Sequence, residues 1–186
     1  MYSVPKIFEN IFDDLEKKKP QLESMILDCF SREGWFQVEI ANILRLSGIR
    51  YLVEAPYPGS AKEGKTNSGD LCDICFEQDK KRNWLELKAI PVYRIGGAKK
   101  RLDFENKRND RKYRPIMSKM IVSDLKKLRR LKNDDRKWFL AIIYPDYDLK
   151  QLEHVFLNYK DLILHRCWKM LNTSEGKFGF LLIEVK

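Results

Sequence analysis

Residues 69–90 read GDLCDICFEQDKKRNWLELKAI. Two apolar runs, LCDICFE from Leu71 and WLELKAI from Trp84, flank the polar QDKKRN. Short apolar runs on either side of a turn-forming segment predict the two strands of a hairpin. Yet Asp73 stands in the first run, and Glu86 and Lys88 stand in the second. Charge inside a sheet is costly unless it is paired or holds something. Residues two apart in a strand share a face, so Glu86 and Lys88 project together with Trp84 beyond them, and Asp73 shares a face with Cys75. A tight turn through QDKKRN brings Asp73 beside Glu86 and Lys88. Two acids and a lysine meeting on one sheet predict a site.

Outward from the hairpin, changes of period define the other elements. Val4, Ile7, Phe8, Ile11, Phe12 and Leu15 recur at helical spacing. Pro20 ends that helix or opens the next, which carries Leu22, Met25, Ile26, Cys29 and Phe30, and Gly34 reads as its stop. WFQVEIANILRLSG, from Trp35, reads as a third helix with Phe36, Ile40, Ile43 and Leu44 inward and Gly48 at its end. RYLVEAP is a strand and YPGSAKEGKTNSG a polar loop. Beyond the hairpin, residues 92–114 are a charged connection with Gly96-Gly97 at its tip. PIMSKMIVSDLKKLRRLKN is an amphipathic helix with a basic outer face. KWFLAIIYP is an apolar central strand, and LKQLEHVFLNYKDLILHR is a further helix. Strands around residues 168–171 and 178–185 close the chain. This order predicts an α/β domain, a mixed sheet with helices packed on it.

The chain has 186 residues, enough for one domain with its own core. Hydrophobic residues at 44% and aromatics at 12% exclude a disordered tail. No apolar run approaches the ~20 residues of a membrane span. MYSVPKIFENIFDDLEKKKP lacks the apolar core of a signal peptide, so the cytoplasm is the expected compartment. Cys72 and Cys75 form a CxxC, but a structural zinc needs a second pair of ligands, and Cys29, Cys167, His154 and His165 are scattered. Small side chains filling a strand are the better reading. Net charge is +9, unevenly placed: Arg94 to Lys137 holds 17 Lys and Arg against 6 Asp and Glu, +11, and the remainder is −2. A basic sector on a balanced protein suits a polyanion such as nucleic acid. A solvated helix face plus a charged loop has the same composition.

Two hard carboxylates with open water positions suit Mg²⁺, or Mn²⁺. A lysine beside them can orient an attacking water and offset charge on a pentacovalent phosphorane. The metal polarises the phosphate and lowers the pKa of bound water. ExK alone also arises on half-exposed strands. The upstream acid, the apolar flanks and the basic helix that follows raise it above that background.

CDICFE followed by WLELKAI resembles the PD-(D/E)xK, or restriction-endonuclease-like, nucleases. Their core is αβββαβ, the order read here from Trp35 through Tyr144. The resemblance implies that Asp73 and Glu86 are metal ligands and Lys88 the catalytic lysine. Many members carry a Glu on the first core helix at the metal. Glu39 holds the matching place, and Gln37 is a candidate by position without being a hard anionic ligand. Cys72 stands where the family often has proline. Asp70 competes with Asp73 for the acid's role; Asp73 is preferred because it lies inside the apolar run, whereas Asp70 starts the strand. The implied layout is a single nuclease-like domain, with residues 1–33 a helical extension, 34–145 the catalytic core and 146–186 a C-terminal helix and strands.

In such a nuclease the basic sector has a task. Lys99, Lys100, Arg101, Lys107, Arg108, Arg111, Lys112 and Arg114 are candidates for backbone phosphates, which position a duplex without reading it. The implied activity is hydrolysis of phosphodiester bonds in DNA, as an endonuclease; cutting both strands often takes two active sites, which a homodimer is one way to supply. The alternatives are a non-cleaving nucleic-acid-binding module and a protein-interaction domain on the same fold.

Overall fold

The computed structural model describes residues 5–28, 33–58, 71–91, 113–131, 134–144, 157 and 159–186. Three helices come first: α1 Lys6–Lys17, α2 Lys19–Asp28 and α3 Glu33–Leu46. Strands β1 Tyr51–Pro56, β2 Leu71–Gln78 and β3 Lys81–Pro91 follow. Then come α4 Tyr113–Arg129, β4 Arg136–Tyr144, β5 Ile163–Asn172 and β6 Lys177–Val185. The strands form one six-stranded sheet in the order β1-β2-β3-β4-β6-β5. β3 and β4 run parallel and the other neighbours antiparallel. The protein is therefore an α/β fold on a mixed sheet, and among the described residues the elements from α3 to β4 run αβββαβ.

The helices form where apolar spacing and end signals agree. α1 buries Ile7, Phe8, Ile11, Phe12 and Leu15 along one stripe. Pro20 sits in the first turn of α2, where its missing N–H costs no intrahelical bond. α3 ends at Gly48, whose φ of +68° is the left-handed conformation glycine adopts without penalty. The Ile49 N–H donates to the Leu44 carbonyl at 2.9 Å and the Gly48 N–H to the Arg45 carbonyl at 3.1 Å, a Schellman closure. Gly34 does not end a helix. It lies in the first turn of α3, which starts at Glu33.

The centre of the sheet is buried on both sides. β4 alternates: Trp138, Leu140, Ile142 and Tyr144 face the core built with α1 and α3, while Phe139, Ala141 and Ile143 face the core built with α4. Burial on both faces is why WFLAIIY reads as an unbroken apolar run. β3 follows the same alternation, with Leu85, Leu87 and Ala89 on the first side and Trp84 on the second. Glu86 and Lys88 pair in register with Phe139 and Ala141, so both charged residues lie on the α4 side.

The helix expected over LKQLEHVFLNYKDLILHR does not extend to its end. From Ile163 the chain is β5, and His165 and Arg166 are paired with β6. The short apolar run Leu162-Ile163-Leu164 fits either period. A long antiparallel partner in β6 decides for the strand. The preceding residues 145–156 lie outside the described residues. Among the described residues no helix is long and apolar enough to cross a membrane.

Candidate active site

The β2–β3 hairpin turns through Asp79 and Lys80, both at positive φ, 53° and 61°. Two successive positive φ values are those of a type I′ turn, the tightest hairpin connection. This turn sets the register, with Gln78 opposite Lys81 and pairs continuing to Ile74 opposite Leu85. One position further, Asp73 stands across from Glu86. The Leu87 N–H donates to Asp73 Oδ2 at 2.6 Å, and the Glu86 carboxyl is hydrogen-bonded to Asp73. The Tyr57 hydroxyl, from just beyond β1, donates to Glu86 Oε1.

The sheet is interrupted where it presents Asp73. β1 pairs with β2 at Val53–Ile74 and at Ala55–Cys72 but not between, and Glu54 there has φ 50°. That left-handed conformation is uncommon for a residue with a Cβ and marks a local kink. The Gln37 side-chain amide on α3 donates to the Asp73 carbonyl at 2.8 Å, so the lapse in the ladder leaves no orphaned acceptor.

Charge gathers around this pair from three elements. Asp124 of α4 is 6% exposed and pairs with Lys127 Nζ at 3.0 Å and Lys88 Nζ at 4.0 Å. Glu33 of α3 approaches Lys88 Nζ to 3.3 Å from the other side and accepts the Ala89 N–H at 3.2 Å. Among the described residues four carboxyl groups thus meet two ammonium groups, so negative charge is in excess even with one carboxyl protonated. Burial pushes Glu86, only 4% exposed, up to about 8, with the charges of Asp73 and Asp124 adding and the Tyr57 hydroxyl opposing. Burial also raises Asp73, against the pull of the Leu87 N–H and Glu86. At neutral pH the pair therefore holds a proton, chiefly on Glu86.

Asp73, Glu86 and Lys88 are brought together. Glu39 is not brought to them. Its carboxylate pairs with Lys18, which also holds Asp14 at 2.7 Å. Glu39 follows Gln37 by two residues, about 200° around the helix, so the two cannot face one site. The helix acid at the cluster is Glu33, four before Gln37 and on its face. Asp70, Lys99, Lys100, Arg101, Lys107, Arg108, Arg111, Lys112 and His154 lie outside the described residues; Arg114 is in the first turn of α4. Cys72 and Cys75 are buried free thiols.

Glu33, Asp124, Lys127 and Tyr57 were not singled out from the sequence. Asp124 did leave a signal: it is the one acid of α4, three after buried Ile121 and four before buried Leu128. An acid on the core-facing stripe of a helix needs a partner.

Among the described residues no group of three or more His, Cys, Asp or Glu side chains is arranged to hold a metal ion. Among the described residues the donor set is two neighbouring carboxyl groups, Glu86 buried and Asp73 half-buried. That set fits a cation such as Mg²⁺, which keeps several waters and takes one or two carboxylates plus substrate oxygens. Comparison of the chain with models of known families, with curated proteins and with solved structures returned no match.

Proposed function

We propose that this protein is a divalent-metal-dependent nuclease of the PD-(D/E)xK type, an endonuclease that hydrolyses phosphodiester bonds in DNA. The observation that carries the reading is the Leu87 N–H bond to Asp73 beyond the last hairpin pair, Ile74–Leu85; the same register carried one step further sets Asp73 opposite Glu86, with Lys88 two residues on along the same face. The αβββαβ order from α3 to β4 supports it. Asp73 and Glu86 would hold Mg²⁺, or Mn²⁺, which when bound supplies a Lewis acid at the phosphate. Lys88, paired with Glu33 at 3.3 Å and 4.0 Å from Asp124, would hydrogen-bond an attacking water or a phosphate oxygen. The basic residues between Lys99 and Arg114 would contact backbone phosphates.

The test is incubation of supercoiled plasmid, linear duplex and single-stranded DNA with the protein and Mg²⁺, Mn²⁺ or EDTA, alongside Glu86→Ala and Lys88→Ala. Metal-dependent nicking or cutting by the wild type, absent from both variants, is the expected result. A wild type that shifts DNA on a gel yet cuts none of the three substrates would turn the reading toward a non-cleaving binding module.

A further inference from the structure

The site has a second lysine that the resemblance does not supply. Lys127 projects from α4 over the face of β3 that carries Glu86 and Lys88. Its ion pair with Asp124 Oδ1, at 3.0 Å, uses one of three ammonium hydrogens. The other Asp124 oxygen is 4.0 Å from Lys88. Asp124 thus holds two ammonium groups at once, one from each wall, and its own side chain is almost fully enclosed. The Lys127 side chain is 33% exposed against 20% for Lys88, which Glu33 covers from the other side. Lys127 also lies close enough to Asp73 and Glu86 for their charges to act on it.

The geometry points to Lys127 as a phosphate-contacting residue of the site, with Asp124 as the positioning residue that aims it. This rests on the nuclease reading and adds to it a second cation on the helix wall, so that the substrate phosphate lies between β3 and α4. Two features support contact over general base chemistry. Burial works against the Lys127 ammonium, but the bond to Asp124 and the charges of Asp124, Glu86 and Asp73 hold it above its ordinary value. It therefore stays charged at neutral pH, as an electrostatic contact must and a proton acceptor must not. Its stem is also long enough to reach outward while its partner stays buried.

The role separates from a structural one because two affinities should move in opposite directions. Removing Lys127 takes a positive charge from beside Asp73 and Glu86, which favours a cation there. The same removal takes a donor from the phosphate. The experiment measures Mn²⁺ binding in the absence of DNA and binding of a short fluorescent duplex in Ca²⁺, for wild type, Lys127→Ala, Lys127→Arg and Asp124→Asn. Lys127→Ala is expected to bind Mn²⁺ at least as tightly as wild type, to bind the duplex about 3- to 10-fold more weakly, and to lower the slope of log affinity against log salt by about 1. Lys127→Arg is expected to keep most of the duplex affinity. Asp124→Asn is expected to weaken both, since it loses a negative charge near the metal as well as the lysine's anchor. Unchanged duplex affinity and salt slope in Lys127→Ala would overturn the proposal while leaving the nuclease reading in place. So would a parallel loss of Mn²⁺ and duplex binding in that variant, which would mean that the lysine only props the carboxylates. A wild type that binds neither Mn²⁺ nor duplex would remove the nuclease reading, and this inference with it, before any variant is compared.

Discussion

The Tyr57 hydroxyl donates a hydrogen bond to Glu86 Oε1, on a carboxyl group that is itself bonded to Asp73. The Tyr57 ring also packs against Trp84, with ring centroids 5.4 Å apart and the planes tilted by 30°, so the hydroxyl is aimed by a packed ring. A donor to a carboxylate stabilises the charged form, and the Tyr57 hydroxyl draws Glu86 down against its burial. Tyr57→Phe keeps the ring and deletes the donor. Glu86 should then hold its proton more tightly, by about one pKa unit. If the pair holds Mg²⁺ as proposed, the metal must displace that proton, so Mg²⁺ affinity at pH 7 is expected to fall by about 10-fold and to recover toward the wild-type value near pH 9. Metal titrations at both pH values check this; equal losses at the two would show that the hydroxyl acts on geometry and not on the proton.

Glu86 also ties stability to pH. Its folded value lies at about 8, above the ordinary 4.5. A raised carboxyl binds its proton more tightly in the folded state, so the folded protein is relatively more stable at low pH. That advantage is complete below the unfolded value and is lost as pH rises through the folded one. In EDTA, Glu86→Gln is therefore expected to exceed wild type in stability at pH 8.5 by a few kcal/mol, on the order of 2–4, and to differ little at pH 5. Mg²⁺ should narrow the gap at pH 8.5, because only wild type offers the second carboxylate. Urea unfolding of both proteins at the two pH values, with and without Mg²⁺, measures it. A gap of the same size at pH 5 and pH 8.5 would mean that Glu86 is ionised in the folded protein throughout.

Away from the site, Gly179 on β6 is required by a close approach. A Cβ built there would lie 2.4 Å from two ring atoms of Trp168 on the adjacent strand. Trp168 and Gly179 are near neighbours in the β5–β6 pairing, and the indole crosses β6 where the glycine leaves room. Gly179→Ala forces the ring to move and is expected to cost about 1–3 kcal/mol. Trp168→Leu in the same chain should restore most of the loss. Both can be read from thermal or urea unfolding, and an unchanged stability for Gly179→Ala would show that the indole has room to swing clear.

The hairpin and its charged trio were legible because they break a rule. Charges at strand positions inside apolar runs stand out, and the polar QDKKRN segment marks the turn between them. The residues that complete the cluster were hidden for separate reasons. Gly34 resembles a helix stop, and reading it so left Glu33 outside α3 and made Glu39 the nearest acid. In the first turn backbone N–H groups lack intrahelical partners in any case, so a glycine there does not end a helix. In the composition Asp124 is one acid in a basic sector, although its place on the apolar stripe of α4 marks it. Tyr57 follows β1 at the start of a polar loop, where no period applies, and only the tertiary fold brings it to Glu86. The end of the expected C-terminal helix failed differently: Leu162-Ile163-Leu164 fits both periods, and pairing with β6 settled it.

The exchange of Glu39 for Glu33 on α3 can be tested directly, because the two acids lie on different faces of one helix. Glu33 pairs with Lys88 and caps the Ala89 N–H. Glu39 pairs with Lys18, 21 residues earlier in the chain. Glu33→Gln keeps the shape and an acceptor for Ala89 but removes the charge that holds Lys88. If Lys88 serves the reacting phosphate, a loosened ammonium should lower cleavage by about 10- to 100-fold. Glu39→Gln should leave cleavage within about 2-fold of wild type and cost at most about 1 kcal/mol of stability, the range of a partly exposed ion pair. Plasmid nicking rates in Mg²⁺ for the two variants, with urea unfolding as control, decide between them. A large loss in Glu39→Gln with little in Glu33→Gln would mean that α3 turns a different face to the site when substrate is bound.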